Sequence, residues 1–286
     1  MGNEQLNRDC DYEDAVFVLA TAIEIVLRAG DMQMKQFGKS FKIDKKSSID
    51  LVTDVDLSVE KMFLDVIQER FPEHGILSEE FGERVAPGSL ESDASSASGC
   101  CWVFDPIDGT TNFAHGVPFF CSALSFEING RPVVAAVYEP VRRELFVAER
   151  GKGARLNGVP LKVSQSTTLI DSLLCTGFPY DVHTSREELV ELFGHFLGRA
   201  RAVRRLGSAA LDLCYVAAGR LDGFWEQSLH AWDISAGSLI VEESGGQVTD
   251  LQGEDFNSRT GNVVASNSRI HEALIKTIHE FVSKSE

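Results

Sequence analysis

The run Asp105-Pro106-Ile107-Asp108-Gly109-Thr110-Thr111-Asn112 sets two carboxylates, a backbone carbonyl at Ile107, a glycine and two hydroxyls side by side. A hard divalent cation such as Mg²⁺ takes about six oxygen ligands at about 2.1 Å, from carboxylates, carbonyls and water. Asp105 and Asp108, expected to straddle a turn, supply two ligands, and the Ile107 carbonyl a third. Gly109 lets backbone approach a phosphate, whose oxygens the following amides and hydroxyls meet. As dipeptides, Asp-Pro and Asp-Gly are ordinary turns. The whole run behind a buried strand points to a metal and phosphate site.

Five further segments carry chemistry-bearing residues. Asp50-Leu51-Val52-Thr53-Asp54-Val55-Asp56 follows Lys45 and Lys46; read locally, Asp56 is a helix N-cap and Asp54 a surface or turn residue. Glu79 and Glu80 close a strand and, taken alone, are solvated charges. His230-Ala231-Trp232-Asp233 opens a helix that stops at Gly245-Gly246; locally Asp233 is a cap, His230 structural and Trp232 core. Gly207-Ser208-Ala209-Ala210 starts a helix whose backbone N–H groups can meet an anion or hydroxyl, and tight packing of small residues explains it as well. Glu226 ends the strand Phe224-Trp225-Glu226, to accept from a substrate hydroxyl or to stand exposed.

The elements that must position these groups follow from periodicity. Apolar positions from Val16 to Phe37 predict a helix opened by Asp11, and a second helix spans about Leu57 to Glu69. Strands are expected at Gly75–Ser78 and Cys101–Phe104, so both acidic groups fall where a buried strand gives way to a loop, a place where α/β folds put chemistry. Residues 82–99 read as a mobile loop. From 120 to 165 the period becomes two, with runs at 121–128, 132–139 and 144–149 and turns at Asn129-Gly130 and Asn157-Gly158: an antiparallel meander. Beyond it, strands near 172–176, 201–206, 221–226, 247–250 and 262–266 alternate with helices near 186–198, 209–218 and 233–243, and a last helix starts at Arg269. Ser185-x-x-Glu188 is the expected capping box of the 186–198 helix.

The chain has 286 residues, 43% of them hydrophobic, enough for a sizeable core. We expect a flexible tail over 1–10 and one domain over 11–286, in two packed halves of about 11–165 and 166–286. The net charge of −16 repels phosphate backbones, which argues against nucleic acid. It repels a small phosphate ester too, unless some of the carboxylates hold cations that reverse the local sign. Cys10, Cys100, Cys101, Cys121, Cys175 and Cys214 show no zinc spacing and read as free thiols of a reducing cytosol. Neither a signal-peptide pattern nor a membrane-spanning run is found, so the expected location is cytoplasmic, without a membrane partner.

Over nearly the whole chain, from the first helix to Ser268, these segments resemble the inositol monophosphatase family of Mg²⁺-dependent, lithium-sensitive phosphatases. The resemblance rests on Trp102-Val-Phe-Asp-Pro-Ile-Asp-Gly-Thr-Thr-Asn112, on Trp232-Asp233 followed by Ile-Ser-Ala-Gly and by Glu243-Ser-Gly-Gly246, and on the hairpin Gly151-Lys-Gly-Ala-Arg-Leu-Asn-Gly158. Gly207-Ser-Ala-Ala-Leu-Asp-Leu-Cys-Tyr-Val-Ala-Ala-Gly219 resembles the bacterial-type members. The implied fold is α/β (α+β), a layered αβαβα sandwich, usually dimeric.

The implied cofactor is Mg²⁺, two or three ions, with Mn²⁺ as a substitute and Li⁺ as inhibitor. Glu79, Asp105 and the Ile107 carbonyl form the first metal site; Asp105, Asp108 and Asp233 form the second. Asp56 partners Thr110 to orient the attacking water. The amides of Gly109 and Thr110 hold phosphate, and Gly207, Ser208, Ala209, Glu226 and Asp233 face the alcohol. The implied activity is hydrolysis of a small polyol phosphate, with inositol monophosphate leading. Fructose 1,6-bisphosphate, histidinol phosphate, NADP⁺ and 3′-phosphoadenosine 5′-phosphate are the alternatives within the fold. Some bacterial members bind transcription machinery; the basic run Arg199, Arg201, Arg204 and Arg205 is where a partner or dimer mate would sit, though such a role is not the leading expectation. Ser78 where a glycine often stands, the extra acid Asp54 and the long 82–99 loop depart from the family pattern.

Overall fold

In the computed structural model, residues 15–39, 43–45, 51–84, 99–179 and 182–285 are described; the N-terminal tail, the Asp11 cap and most of the 82–99 loop lie outside them. The first helix, α1 (Ala15–Gln36), buries Val18, Ala22, Ile25, Val26 and Ala29 at helical spacing. Two short strands, β1 (Ile43–Lys45) and β2 (Leu51–Thr53), pair antiparallel and lead into α2 (Asp54–Arg70). Thr53, not Asp56, is the N-cap of α2. The Thr53 amide donates to Asp56 Oδ2 at 2.8 Å, and the Thr53 hydroxyl accepts from the Asp56 amide at 3.4 Å, a reciprocal capping box.

The central sheet uses β3 (Gly75–Ser78), β4 (Gly82–Arg84), β5 (Cys100–Asp108), β6 (Cys121–Ile128), β7 (Arg131–Glu139), β8 (Glu144–Glu149), β9 (Gly153–Leu156) and β10 (Val159–Pro160), with the short α3 (Thr110–Ala114) between β5 and β6. Its order is β10-β9-β8-β7-β6-β5-β3-β4, so the meander expected from period two runs unbroken from β6 to β10. Among the described strands of this sheet, β3 and β5 are the one pair that runs parallel. That places the ends of both strands, and hence Glu79 and Asp105, at the same edge.

The second half supplies β11 (Leu173–Thr176), α4 (Val182–Leu197), β12 (Ala202–Arg204), α5 (Ala209–Ala217), β13 (Gly223–Glu226), α6 (Ala231–Glu243), β14 (Gln247–Thr249), β15 (Val263–Ser266) and α7 (His271–Ser285). The second sheet has order β12-β11-β13-β15-β14. Because α4 begins at Val182, Ser185 lies inside it and does not cap it.

The layers are α1 and α2, the eight-stranded sheet, α5 and α6, the five-stranded sheet, and α4 with α7. This is the αβαβα sandwich. Alanine and glycine let α5 and α6 approach closely: a Cβ at Gly237 would stand 2.6 Å from Leu213 Cβ. Outside the sheet, Phe63 stacks on Phe104 at 4.4 Å and Trp102 is fully buried. Each such side chain contributes about 1.5–3 kcal/mol relative to exposure. Trp232 is half-buried and stacks on His230 at 4.5 Å, so it is less interior than expected. Cys101, Cys121, Cys175 and Cys214 are free and buried, but Cys100 is disulfide-bonded, against the expectation of free thiols throughout.

Candidate active site

Asp105 and Asp108 are not divided by a turn: β5 runs through both. Residues three apart on a regular strand face opposite sides of the sheet. Here the register with β6 shifts, Asp105 pairing with Ala123 and Asp108 with Cys121, so three steps on β5 match two on β6. This extra residue, a β-bulge, turns both carboxylates toward one side. The bulge exposes the Pro106 carbonyl, which accepts from Ser122 Oγ at 2.7 Å and from Gln33 Nε2 of α1 at 2.8 Å. Gln33 is fully buried, and sequence reading missed its role because nothing local sets it apart from the other polar residues of α1.

Asp233 sits in the first turn of α6, with its Oδ2 accepting from the His230 amide at 2.6 Å. It therefore acts locally in capping and also meets the two strand aspartates. One ligand oxygen from each of Asp105, Asp108 and Asp233 lies within 4.8 Å of the others. Asp105 Oδ1 is buried and has no hydrogen-bond partner among the described residues. Burial, with Glu79, Asp108, Asp233 and Asp56 close by, pushes the Asp105 carboxyl well above the usual carboxylate range. A buried, orphaned carboxylate oxygen amid other carboxylates is costly without a cation. The donor set is all oxygen, which fits a hard divalent ion.

Burial raises Asp108 to about 6, and hydrogen bonds oppose the rise. Ser208 Oγ donates to Asp108 Oδ2 at 2.6 Å and the Ala210 amide at 2.7 Å. The N-terminus of α5 thus meets an anion, as its sequence allows, but the anion is the protein's own Asp108.

Asp56 is fully buried beneath Thr110. The Thr110 hydroxyl has one proton and two acceptors, the Ile107 carbonyl at 2.8 Å and Asp56 Oδ1 at 3.5 Å. The expected Asp56 partnership is thus present as the longer of two contacts. Gly109 has φ +95°, and a Cβ there would stand 3.0 Å from the Phe119 carbonyl, so only glycine fits. Asn112 Nδ2 donates to the carbonyls of Phe119 at 2.8 Å and Leu206 at 2.9 Å, tying the motif to the segment before α5.

A cavity of about 340 Å³ opens beside this group. Asp108, Gly109, Thr110 and Asp233 line one side; Gly207, Ser208, Ala209 and Glu226 line the other. Asp56, Asp105, Ile107 and Glu79 are not on its wall. Glu226 is buried against Gly177, where a Cβ would overlap its carboxyl at 2.0 Å. Burial pushes Glu226 up to about 8, and Arg205 opposes this. Two charged lining residues were not foreseen there: Asp212, buried on α5 and raised by that burial, and Arg205. Arg205 lines the cavity. Its neighbours Arg199 and Arg201 are paired with Glu280 and Asp171.

Residues 14–283 match the model of the inositol monophosphatase family. The chain belongs to this family. Among its relatives, "Nus factor SuhB" of Escherichia coli (strain K12) is 40% identical over 268 residues, 93% of this chain and 97% of that one. "Inositol-1-monophosphatase" of Synechocystis is 40% identical over 261 residues, 91% of this chain and 88% of that one. The crystal structure of the extragenic suppressor protein suhB from Bartonella henselae superposes with a TM-score of 0.85 at 34% identity, covering 92% of this chain and 98% of that one. The αβαβα sandwich is therefore the inositol monophosphatase fold. No helix among the described residues is long and apolar enough to cross a membrane.

Proposed function

We propose that this family member is a Mg²⁺-dependent phosphatase that hydrolyses a phosphate monoester of a small polyol, with inositol monophosphate as the leading substrate. The observation that carries the reading is the buried Asp105 oxygen, orphaned among the described residues, grouped with Asp108 and Asp233, which line a cavity sized for a sugar-like alcohol. The name of the Synechocystis relative supports the same substrate.

Glu79, Asp105 and the Ile107 carbonyl would hold one cation, and Asp105, Asp108 and Asp233 a second. Bound there, such ions supply Lewis-acid activation of water and neutralise charge on the leaving oxygen. The rest is the work of the chain's own groups. Thr110 and Glu79 aim a water at phosphorus, and the Thr110 hydroxyl turns from the Ile107 carbonyl to Asp56 as it accepts from that water. The amides of Gly109 and Thr110 orient the phosphate. Glu226 accepts hydrogen bonds from the polyol, which fixes the ester in line for attack. The water oxygen bonds to phosphorus and the ester P–O bond breaks; of the two protons the water brings, one ends on the leaving alcohol and the other stays with the phosphate.

One observation favours a variant of this reading. Arg205 is the one arginine or lysine among the described residues on the cavity wall and makes no ion pair with them. A second anionic group on the substrate would find its partner there, as in fructose 1,6-bisphosphate. Phosphate release should be measured with and without Mg²⁺ and Li⁺ on inositol 1-phosphate, fructose 1,6-bisphosphate, histidinol phosphate, NADP⁺ and 3′-phosphoadenosine 5′-phosphate. The highest kcat/KM on inositol 1-phosphate supports the main reading; the highest on the bisphosphate supports the variant. Mg²⁺-independent or absent turnover on all five refutes both.

A further inference from the structure

The helix α2 carries two buried carboxylates four residues apart, Asp56 and Glu60, which places them on one face, one turn from each other. Asp56 faces Thr110. Glu60 is fully buried and reaches the turn that follows β3. It accepts from the Ser78 hydroxyl, from the Glu80 amide at 2.9 Å and from the Phe81 amide at 2.8 Å. These three donors bracket Glu79 on both sides.

A buried carboxylate is expensive unless charge or hydrogen bonds compensate it. Glu60 makes no ion pair among the described residues, so backbone and hydroxyl donors compensate it. A purely structural tie between α2 and β3 needs only one apolar contact, and Val59, Phe63 and Ile67 already supply apolar burial along α2. The costly group is at the position that grips the Glu79 turn. Ser78 fits this arrangement, because its hydroxyl is the side-chain donor that a glycine would lack.

We propose that Glu60 is a positioning residue that locks the Ser78–Phe81 turn so that Glu79 faces Asp105. On this inference α2 is a common base for two groups that aim the water, Thr110 through Asp56 and Glu79 through Glu60. The inference rests on the metal assignment made above for Glu79.

The test is calorimetric titration of the full chain with Mn²⁺, with no substrate present. Wild type, Glu60→Gln, Glu79→Gln and the double variant form a double-mutant cycle. Glu60→Gln should weaken the Glu79-dependent binding about 10-fold or more, the scale seen when outer partners of metal ligands are lost. In the Glu79→Gln background the same change should cost almost nothing, because Glu60 acts through Glu79. Ser78→Ala, which removes one donor of three, should weaken binding about 2-fold to 3-fold. It keeps the test decisive if Glu60→Gln does not fold. Equal losses with and without Glu79 overturn the inference, as does unchanged Mn²⁺ affinity in a folded Glu60→Gln or in Ser78→Ala. A wild-type chain that binds no Mn²⁺ overturns the metal assignment itself, a result distinct from either.

Discussion

Ser208 donates a 2.6 Å hydrogen bond to Asp108 across 100 residues of sequence. It joins the end of β5 to the cap of α5, and so joins the motif that carries the aspartates to the wall of the cavity. It also opposes the effect of burial, which lifts Asp108 to about 6. A cation needs the ionised carboxylate, so divalent affinity should fall as pH drops through about 6. In Ser208→Ala the midpoint should move to higher pH, and affinity at pH 6 should fall roughly 10-fold. Mn²⁺ titration at several pH values checks both; an unmoved midpoint contradicts the role given to Ser208.

Thr110→Ala removes the hydroxyl that lies between the Ile107 carbonyl and Asp56. Turnover at saturating Mg²⁺ should fall about 10²-fold or more, the usual contribution of a positioned proton-transfer group. Mg²⁺ half-saturation should change little, since no metal ligand is lost. Steady-state kinetics over a Mg²⁺ series separates the two effects.

Glu226 gives a stability prediction for the metal-free protein. Its folded-state pKa, raised by burial to about 8, lies above the ordinary value of 4.5. The unfolded chain therefore releases its proton first as pH rises. The stabilisation is complete below about 4.5 and is lost as pH climbs through about 8. Glu226→Gln should flatten this decline, so its melting temperature relative to wild type should improve between pH 5 and about 9. Thermal melts in chelator across that range decide it.

Gly177→Ala puts a methyl where the Glu226 carboxyl stands. The carboxyl must move, and a polyol loses its hydrogen-bond acceptor. KM for inositol 1-phosphate should rise about 10-fold, with a smaller change in kcat, because this contact acts on binding more than on the reacting phosphate. An unchanged KM would mean that Glu226 does not touch the alcohol.

Much of this was legible from residue types because local rules and tertiary structure agree. The meander from β6 to β10 follows from alternation and from Asn-Gly turns, and α5 follows from its apolar run closed by Gly219. The long-range partners were hidden. Nothing local distinguishes Glu60 from a surface glutamate of α2, or Gln33 from any polar residue of α1; their roles arise from a turn and a bulge far along the chain. Asp105 and Asp108 were read as flanking a turn because Asp-Pro favours one, yet pairing with β6 keeps the strand and absorbs the mismatch in a bulge. Asp56 was read locally as a cap when Thr53 is the cap and Asp56 its reciprocal partner, a shift of three residues that leaves Asp56 buried under Thr110.

The most direct measurement pairs Mn²⁺ titration with Mg²⁺-dependent phosphate release from inositol 1-phosphate, for wild type and Asp105→Asn. Asp105 is shared by both proposed cation sites, so Asp105→Asn should keep its circular dichroism spectrum, lose most cation binding, and lose turnover by about 10³-fold or more. A folded Asp105→Asn that binds Mn²⁺ and hydrolyses the ester like wild type would contradict the account.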